Sequence, residues 1–178
     1  MLLDRLFRPR PARAIGQALY QRVVDQSRTP ALYADIGAPD TVEGRFEIYS
    51  LHVVLLLERL RGHGEQAAEV SQVLFDTYVK SLDHALREMG VGDLTVPKRM
   101  QAFGEAFYGR TAAYDTAFAA GEADLAIALN RNIFNDANIE NARRLASYAT
   151  ATLGNIGQLG AKTFTAAQWA FPPFVGQE

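Results

Sequence analysis

The sequence predicts an all-α fold: a compact bundle of six to seven helices around a central buried helix at about residues 41–61. Three observations predict it. No segment of five or more residues alternates cleanly between apolar and polar, and no β-branched run is bounded by hairpin turns. Apolar residues recur instead at three- and four-residue spacings between glycine, proline and asparagine breaks. Within residues 39–61, apolar side chains from Phe46 to Leu60 cover nearly the whole circumference of one helix. A helix apolar on all sides belongs in the middle of a bundle or in a bilayer. The unbroken run Val53–Leu57 is far short of the roughly 20 residues a span needs, so the bundle is the reading.

The other elements follow in order. Pro11 suits a first helical turn, and Ile15, Leu19 and Val23 make a stripe that Thr29-Pro30 closes. Residues 31–36 have room for one short turn. The central helix starts where Asp40 can cap free amides, with Glu43 three residues on, the spacing of a capping box. It stops with Arg59 and Arg61 in the last turn and Gly62 beyond. Gly62-His63-Gly64 is too short to do anything but reverse the chain, so the next helix, about residues 65–89, packs antiparallel to it. Val70, Val73, Leu74, Leu82, Leu86 and Met89 form its expected inner face.

Gly90 to Pro97 is a connector, and the following helix, about residues 97–119, carries Met100, Phe103, Phe107, Tyr114 and Phe118. A shorter helix to Phe134 presents Leu125, Ile127, Leu129 and Ile133. Asn135-Asp136 offers a cap to a last helix, about residues 137–159, with Ile139, Ala142, Leu145, Ala149, Leu153 and Ile156 in line. The tail around Trp169, Phe171 and Phe174 is expected to fold back, since three large rings are costly to leave in water.

A chain of 178 residues, 48% hydrophobic and 21% charged, suits one globular domain. The absence of cysteine excludes disulfides, thiolate metal sites and cysteine nucleophiles. A net charge of −2 gives no reason to expect nucleic acid as a partner. The charge is uneven. Residues 1–13 hold Arg5, Arg8, Arg10 and Arg13 against Asp4 alone, a net +3, which leaves −5 for residues 14–178. Leu2, Leu3, Leu6 and Phe7 fall among those arginines at near-helical spacing. Such a segment can lie on an anionic membrane surface, apolar side in and arginines toward the headgroups, or can be a disordered basic start. It is too short and too interrupted for a secretory signal.

Signals for catalysis are weak. Asp83, His84 and Glu88 share a helix at metal-ligand spacing, but no second histidine-bearing helix completes a site, and no metal or other cofactor is expected. There is no G-x-S-x-G elbow, and Gly90-Val-Gly follows a helix and lacks a third glycine. Two stretches stand out otherwise. Leu86-Arg-Glu-Met-Gly-Val-Gly-Asp93 mixes charge and apolar residues around a glycine turn. Phe107-Tyr-Gly-Arg110 puts a glycine in mid-helix, where it can let another helix approach closely or be no more than a packing notch.

These stretches also carry a resemblance. Pro39-Asp-Thr-Val-Glu-Gly-Arg-Phe46, Leu51-His52, Leu86 to Asp93, Val96-Pro-Lys-Arg99, and Phe107 to Arg110 with Tyr114 closely resemble the ubiquinol–cytochrome c chaperone family, the match being strongest over residues 31–120. The resemblance implies an assembly factor for ubiquinol–cytochrome c reductase, respiratory complex III, that binds newly made cytochrome b and is not an enzyme. It implies a possible ribosome contact or a small partner protein. The missing transit-type segment points to a bacterial member, peripheral on the cytoplasmic face of the inner membrane. The candidate partner-binding residues are Arg87, Glu88, Asp93, Lys98, Arg99, Tyr108 and Arg110, with internal pairing of Arg87 or Arg110 to Asp93 or Glu105 as the competing explanation. The rival reading is a small α-helical enzyme or ligand-binding protein with a buried pocket near His52, and a third is a purely structural subunit.

If residues 1–13 bind membrane, liposome sedimentation will show binding that requires anionic lipid, weakens with salt and disappears when they are removed. Equal binding by the truncated chain would refute the membrane role.

Overall fold

The computed structural model describes residues 11–160, 164 and 169–174. The segment proposed to meet the membrane through Leu2, Leu3, Arg5, Leu6, Phe7, Arg8 and Arg10 lies outside the described residues. Seven helices and no strand are present among the described residues. They are α1 (Pro11–Ser27), α2 (Ala31–Ala34), α3 (Val42–Leu60), α4 (Glu65–Glu88), α5 (Val96–Ala120), α6 (Glu122–Phe134) and α7 (Ile139–Gln158). None of them is long and apolar enough to cross a membrane.

The predicted central helix is α3. Twelve of its nineteen residues are buried, and it packs against α1, α4, α5, α6 and α7. Its N-cap is Thr41, whose hydroxyl accepts the Gly44 amide at 3.1 Å; Asp40, the expected cap, instead pairs with Arg45 at 2.6 Å. Both residues have cap chemistry, and the extended backbone at Thr41 decides between them. The tail folds back as expected. Trp169 and Phe171 are buried, the indole N–H donates to the Phe164 carbonyl at 3.0 Å, and the Phe171 ring meets His52 edge-on.

Several side chains differ from the sequence reading. Met89 caps α4 and is half exposed, because the helix ends in a Schellman turn: Val91 N–H bonds Leu86 C=O at 3.0 Å and Gly90 N–H bonds Arg87 C=O at 2.9 Å, with Gly90 at φ 79°. Ile127 is exposed, since Leu125, Leu129 and Ile133 define the inner face of α6 and a residue two positions on lies across the helix. Ile139 is exposed at the first turn of α7. That helix is capped by Asn138, which accepts the Asn141 amide at 3.1 Å, while Asn135 and Asp136 take left-handed angles that turn the chain.

Gly109 is no point of close approach: a Cβ there would meet nothing within 4 Å. The close approaches lie elsewhere. At Gly16 a Cβ would come 2.6 Å from Val73 Cγ1, so α1 and α4 touch there through a missing side chain. At Gly44 a Cβ would overlap the Pro39 carbonyl oxygen, which the loop entering α3 folds over the helix. Gly44→Ala therefore forces backbone apart and will destabilise by about 1–3 kcal/mol. Gly109→Ala, in open space within a helix, will stabilise by up to about 1 kcal/mol. Urea unfolding of both variants checks the pair, and equal, near-zero effects would contradict this account of the two glycines.

Candidate functional site

The sequence-predicted contact residues gather at the elbow between α4 and α5 and along α5. Arg87, in the last turn of α4, is held by two carboxylates, Asp83 at 2.7 Å and Asp93 in the connector. Both pairs are exposed, and the Arg87 hydrogen bond lowers the Asp83 pKa. Glu88 meets His84 at 3.2 Å. Asp83, the third of the possible metal ligands, is occupied by Arg87, and among the described residues no three His, Asp or Glu side chains are grouped to hold a metal.

Lys98 and Arg99 sit in the first turn of α5, Lys98 on the surface and Arg99 at 3.9 Å from Glu43 on α3. Tyr108 is 65% exposed and leans on Phe75 of α4. Arg110 departs from the group. It forms a two-pronged pair with Glu47 of α3 at 2.7 and 3.0 Å, and Glu47 is only 7% exposed. Burial raises the Glu47 pKa while the arginine opposes it. The competing internal explanation thus describes Arg87 with Asp93, while the partner of Arg110 is Glu47, and Glu105 receives Gln101 instead.

Two features were not singled out from the sequence. Leu94, at the tip of the connector, is 98% exposed, with Met89 at 51% on the other side of the turn. The available signal was an apolar residue in a glycine-rich connector that belongs to no helical stripe. The second feature is a groove of about 530 Å³ bounded by α1, the N-terminal half of α3 and the C-terminal half of α4, with Phe103 of α5 on its floor. Phe103 stacks on Phe46 at 4.6 Å. Side chains from four helices build it, so no local pattern announces it.

His52 does not open onto this groove. It is fully buried, and both ring nitrogens are engaged. The Ile48 carbonyl can only accept, so Nδ1 carries the proton and donates at 2.8 Å, with Ser27 Oγ also 3.2 Å away. Nε2 then accepts from the Tyr148 hydroxyl at 2.9 Å, and that oxygen accepts from Gln26 Nε2 at 2.9 Å. With no lone pair or proton left for a substrate, this histidine holds helices together.

Burial pushes the His52 pKa down to about 4 from 6.5, against the weaker opposing pull of the Ile48 carbonyl. The unfolded chain binds a proton at His52 before the folded one does. This contribution to stability is therefore present above about pH 6.5 and is lost as pH falls toward about 4, amounting to about 3 kcal/mol. The imidazole NMR signal of His52 will stay in the neutral form at pH 5. Titration near pH 6.5 would contradict the buried network.

Comparison with known proteins agrees with this architecture. A family model described as ubiquinol-cytochrome C chaperone matches residues 34–171. The crystal structure of the Cbp3 homolog from Brucella abortus is similar at a TM-score of 0.85 and 34% identity, covering 98% of each chain. Ubiquinol-cytochrome-c reductase complex assembly factor 1 of Xenopus laevis is 24% identical over 117 residues, 66% of this chain and 58% of that protein. The Homo sapiens factor is 26% identical over 117 residues, 66% of this chain and 39% of that one. The chain thus spans about half the length of the curated relatives it matches. A match over most of the sequence, together with a shared fold at 34% identity, places this chain in the ubiquinol–cytochrome c chaperone family.

Proposed function

We propose that this protein is an assembly factor for ubiquinol–cytochrome c reductase that holds newly made cytochrome b while respiratory complex III is built. The observation that carries the reading is the family match across the helical core, reinforced by relatives named as assembly factors of that complex. Its work is binding rather than catalysis, which suits a chain whose buried histidine is consumed by the core. Residence on the cytoplasmic face of a bacterial inner membrane, through the basic start, belongs to the same proposal, as does an accessory contact with the ribosome or a small partner protein.

The client surface proposed here is the α4–α5 elbow. Leu94, Met89 and Tyr108 supply exposed apolar and aromatic area, and Arg87, Glu88, Asp93, Lys98 and Arg99 surround it with charge. Aromatic anchors in a polar rim are the usual composition of a binding hot spot. Arg110 serves the fold, because its guanidinium compensates the buried Glu47 carboxylate.

Charge reversal separates the two roles. Arg99→Glu, at an exposed site, will change stability by no more than about 0.5 kcal/mol while cytochrome b copurification falls. Arg110→Glu sets two carboxylates against each other and will cost about 3 kcal/mol of stability. Undiminished cytochrome b recovery by Arg99→Glu and Tyr108→Ala would remove the elbow from the proposal. Failure of the unaltered chain to recover cytochrome b at all would remove the client.

A further inference from the structure

The groove between α1, α3 and α4 is apolar inside and cationic at its edge. Its floor is made by Phe46, Leu82, Leu86 and Phe103, with Val24 on the α1 side. Arg28, in the turn after α1, Arg45 of α3 and Lys80 of α4 line it, against Glu88 as the one carboxylate. This concentration of positive charge occurs on a chain whose net charge is −2.

The cations are not equally available. Arg45 is tied to Asp40 at 2.6 Å and lies over the Tyr33 ring. Arg28 donates from Nε to the Tyr49 hydroxyl at 3.0 Å, which fixes its side chain at the groove edge. Among the described residues, neither Arg28 nor Lys80 is in an ion pair, and Glu88 is engaged by His84. An anion at the rim would therefore meet a guanidinium already oriented and an ammonium with no carboxylate to displace.

We propose that this groove binds a long-chain fatty carboxylate, the acyl chain over the Phe46–Phe103 stack and the carboxylate between Arg28 and Lys80. The volume of about 530 Å³ falls in the range of small-molecule sites. Size also argues against a protein helix as occupant. One helical turn with its side chains fills about 400–600 Å³, so the groove would receive no more than a single turn of helix. The groove borders the elbow, sharing Glu88 and Met89 with it, but parinarate binding is read separately from cytochrome b recovery.

Titrating the full chain with cis-parinaric acid, a fluorescent fatty acid, below its micellar range tests this. Saturable binding is expected, weakened by salt, with the methyl ester bound at least about tenfold less tightly because it lacks the charge. Ala85 lines the groove and is exposed, so Ala85→Trp fills the groove from its surface and will abolish binding. Arg28→Glu combined with Lys80→Glu will lower affinity by about tenfold or more with the melting temperature unchanged. The double variant keeps the test decisive even where Ala85→Trp fails to fold. Absence of saturable binding, equal affinity for the ester, or undiminished binding by the double variant would overturn the proposal. So would an acidic amphipathic peptide that binds the unaltered chain but not Ala85→Trp while parinarate does not bind, which would assign the groove to a helix.

Discussion

The structure depends on one constraint: from Phe46 to Leu60, α3 is apolar around most of its circumference and must be covered there. Five helices do this, and the three polar groups buried on α3 dictate where four of them sit. Glu47 is matched by Arg110 on α5, Ser50 by the Tyr78 hydroxyl on α4 at 2.7 Å, and His52 by Ser27 on α1 and Tyr148 on α7. Apolar contact is tolerant of sliding, whereas a buried polar group left without its partner costs about 1–3 kcal/mol. Glu47 and Ser50 therefore each fix the register of one neighbour and His52 that of two, and the core owes its single arrangement to its few polar atoms as much as to its many apolar ones.

The surfaces of interest are by-products of that arrangement. α1 and α4 are locked in contact at Gly16 and Val73, and the groove lies further along the same two helices, where Tyr20, Val24 and, just past the end of α1, Arg28 line it with the C-terminal half of α4. The elbow is likewise set from inside. Leu86 is buried and Val96 is buried, so the connector between them is pinned at both ends and its middle, with Leu94, is pushed outward. Exposed apolar side chains on a connector anchored this way are presented at low entropic cost, the condition under which surface area becomes affinity.

Much of the fold was legible because it rests on local patterns. The run Val53–Leu57, the breaks at Gly62 and Gly90, and the stripe Leu125–Leu129–Ile133 each announce their element within a few residues. The errors came where a pattern needed a distant partner to be read. Gly109 and Gly16 look alike in sequence, and only the position of Val73 distinguishes an idle glycine from a contact. Arg110 had acidic candidates close by in sequence, yet its partner Glu47 is 63 positions away. Met89 continued the α4 stripe on paper, but the helix ends at Glu88, one residue before it, and the buried stripe ends at Leu86. The groove, built from four helices, had no sequence signal at all.

The internal pairing of the elbow charges bears on how such a surface could grip a client. Arg87 faces two carboxylates, so its charge is already compensated and a client acid would have to displace one of them. Exposed pairs of this kind contribute about 0–1 kcal/mol each, and exchanging one for another gains little. Leu94, Met89 and Tyr108 have no such prior engagement to give up, and their burial releases water on contact. On the proposal that the elbow meets a client, its attraction would reside in the apolar side chains, with the ionic residues setting orientation and on-rate. Under the proposed role a client would have to be released as assembly proceeds, and a small apolar contact framed by compensated charge is suited to a grip of limited strength.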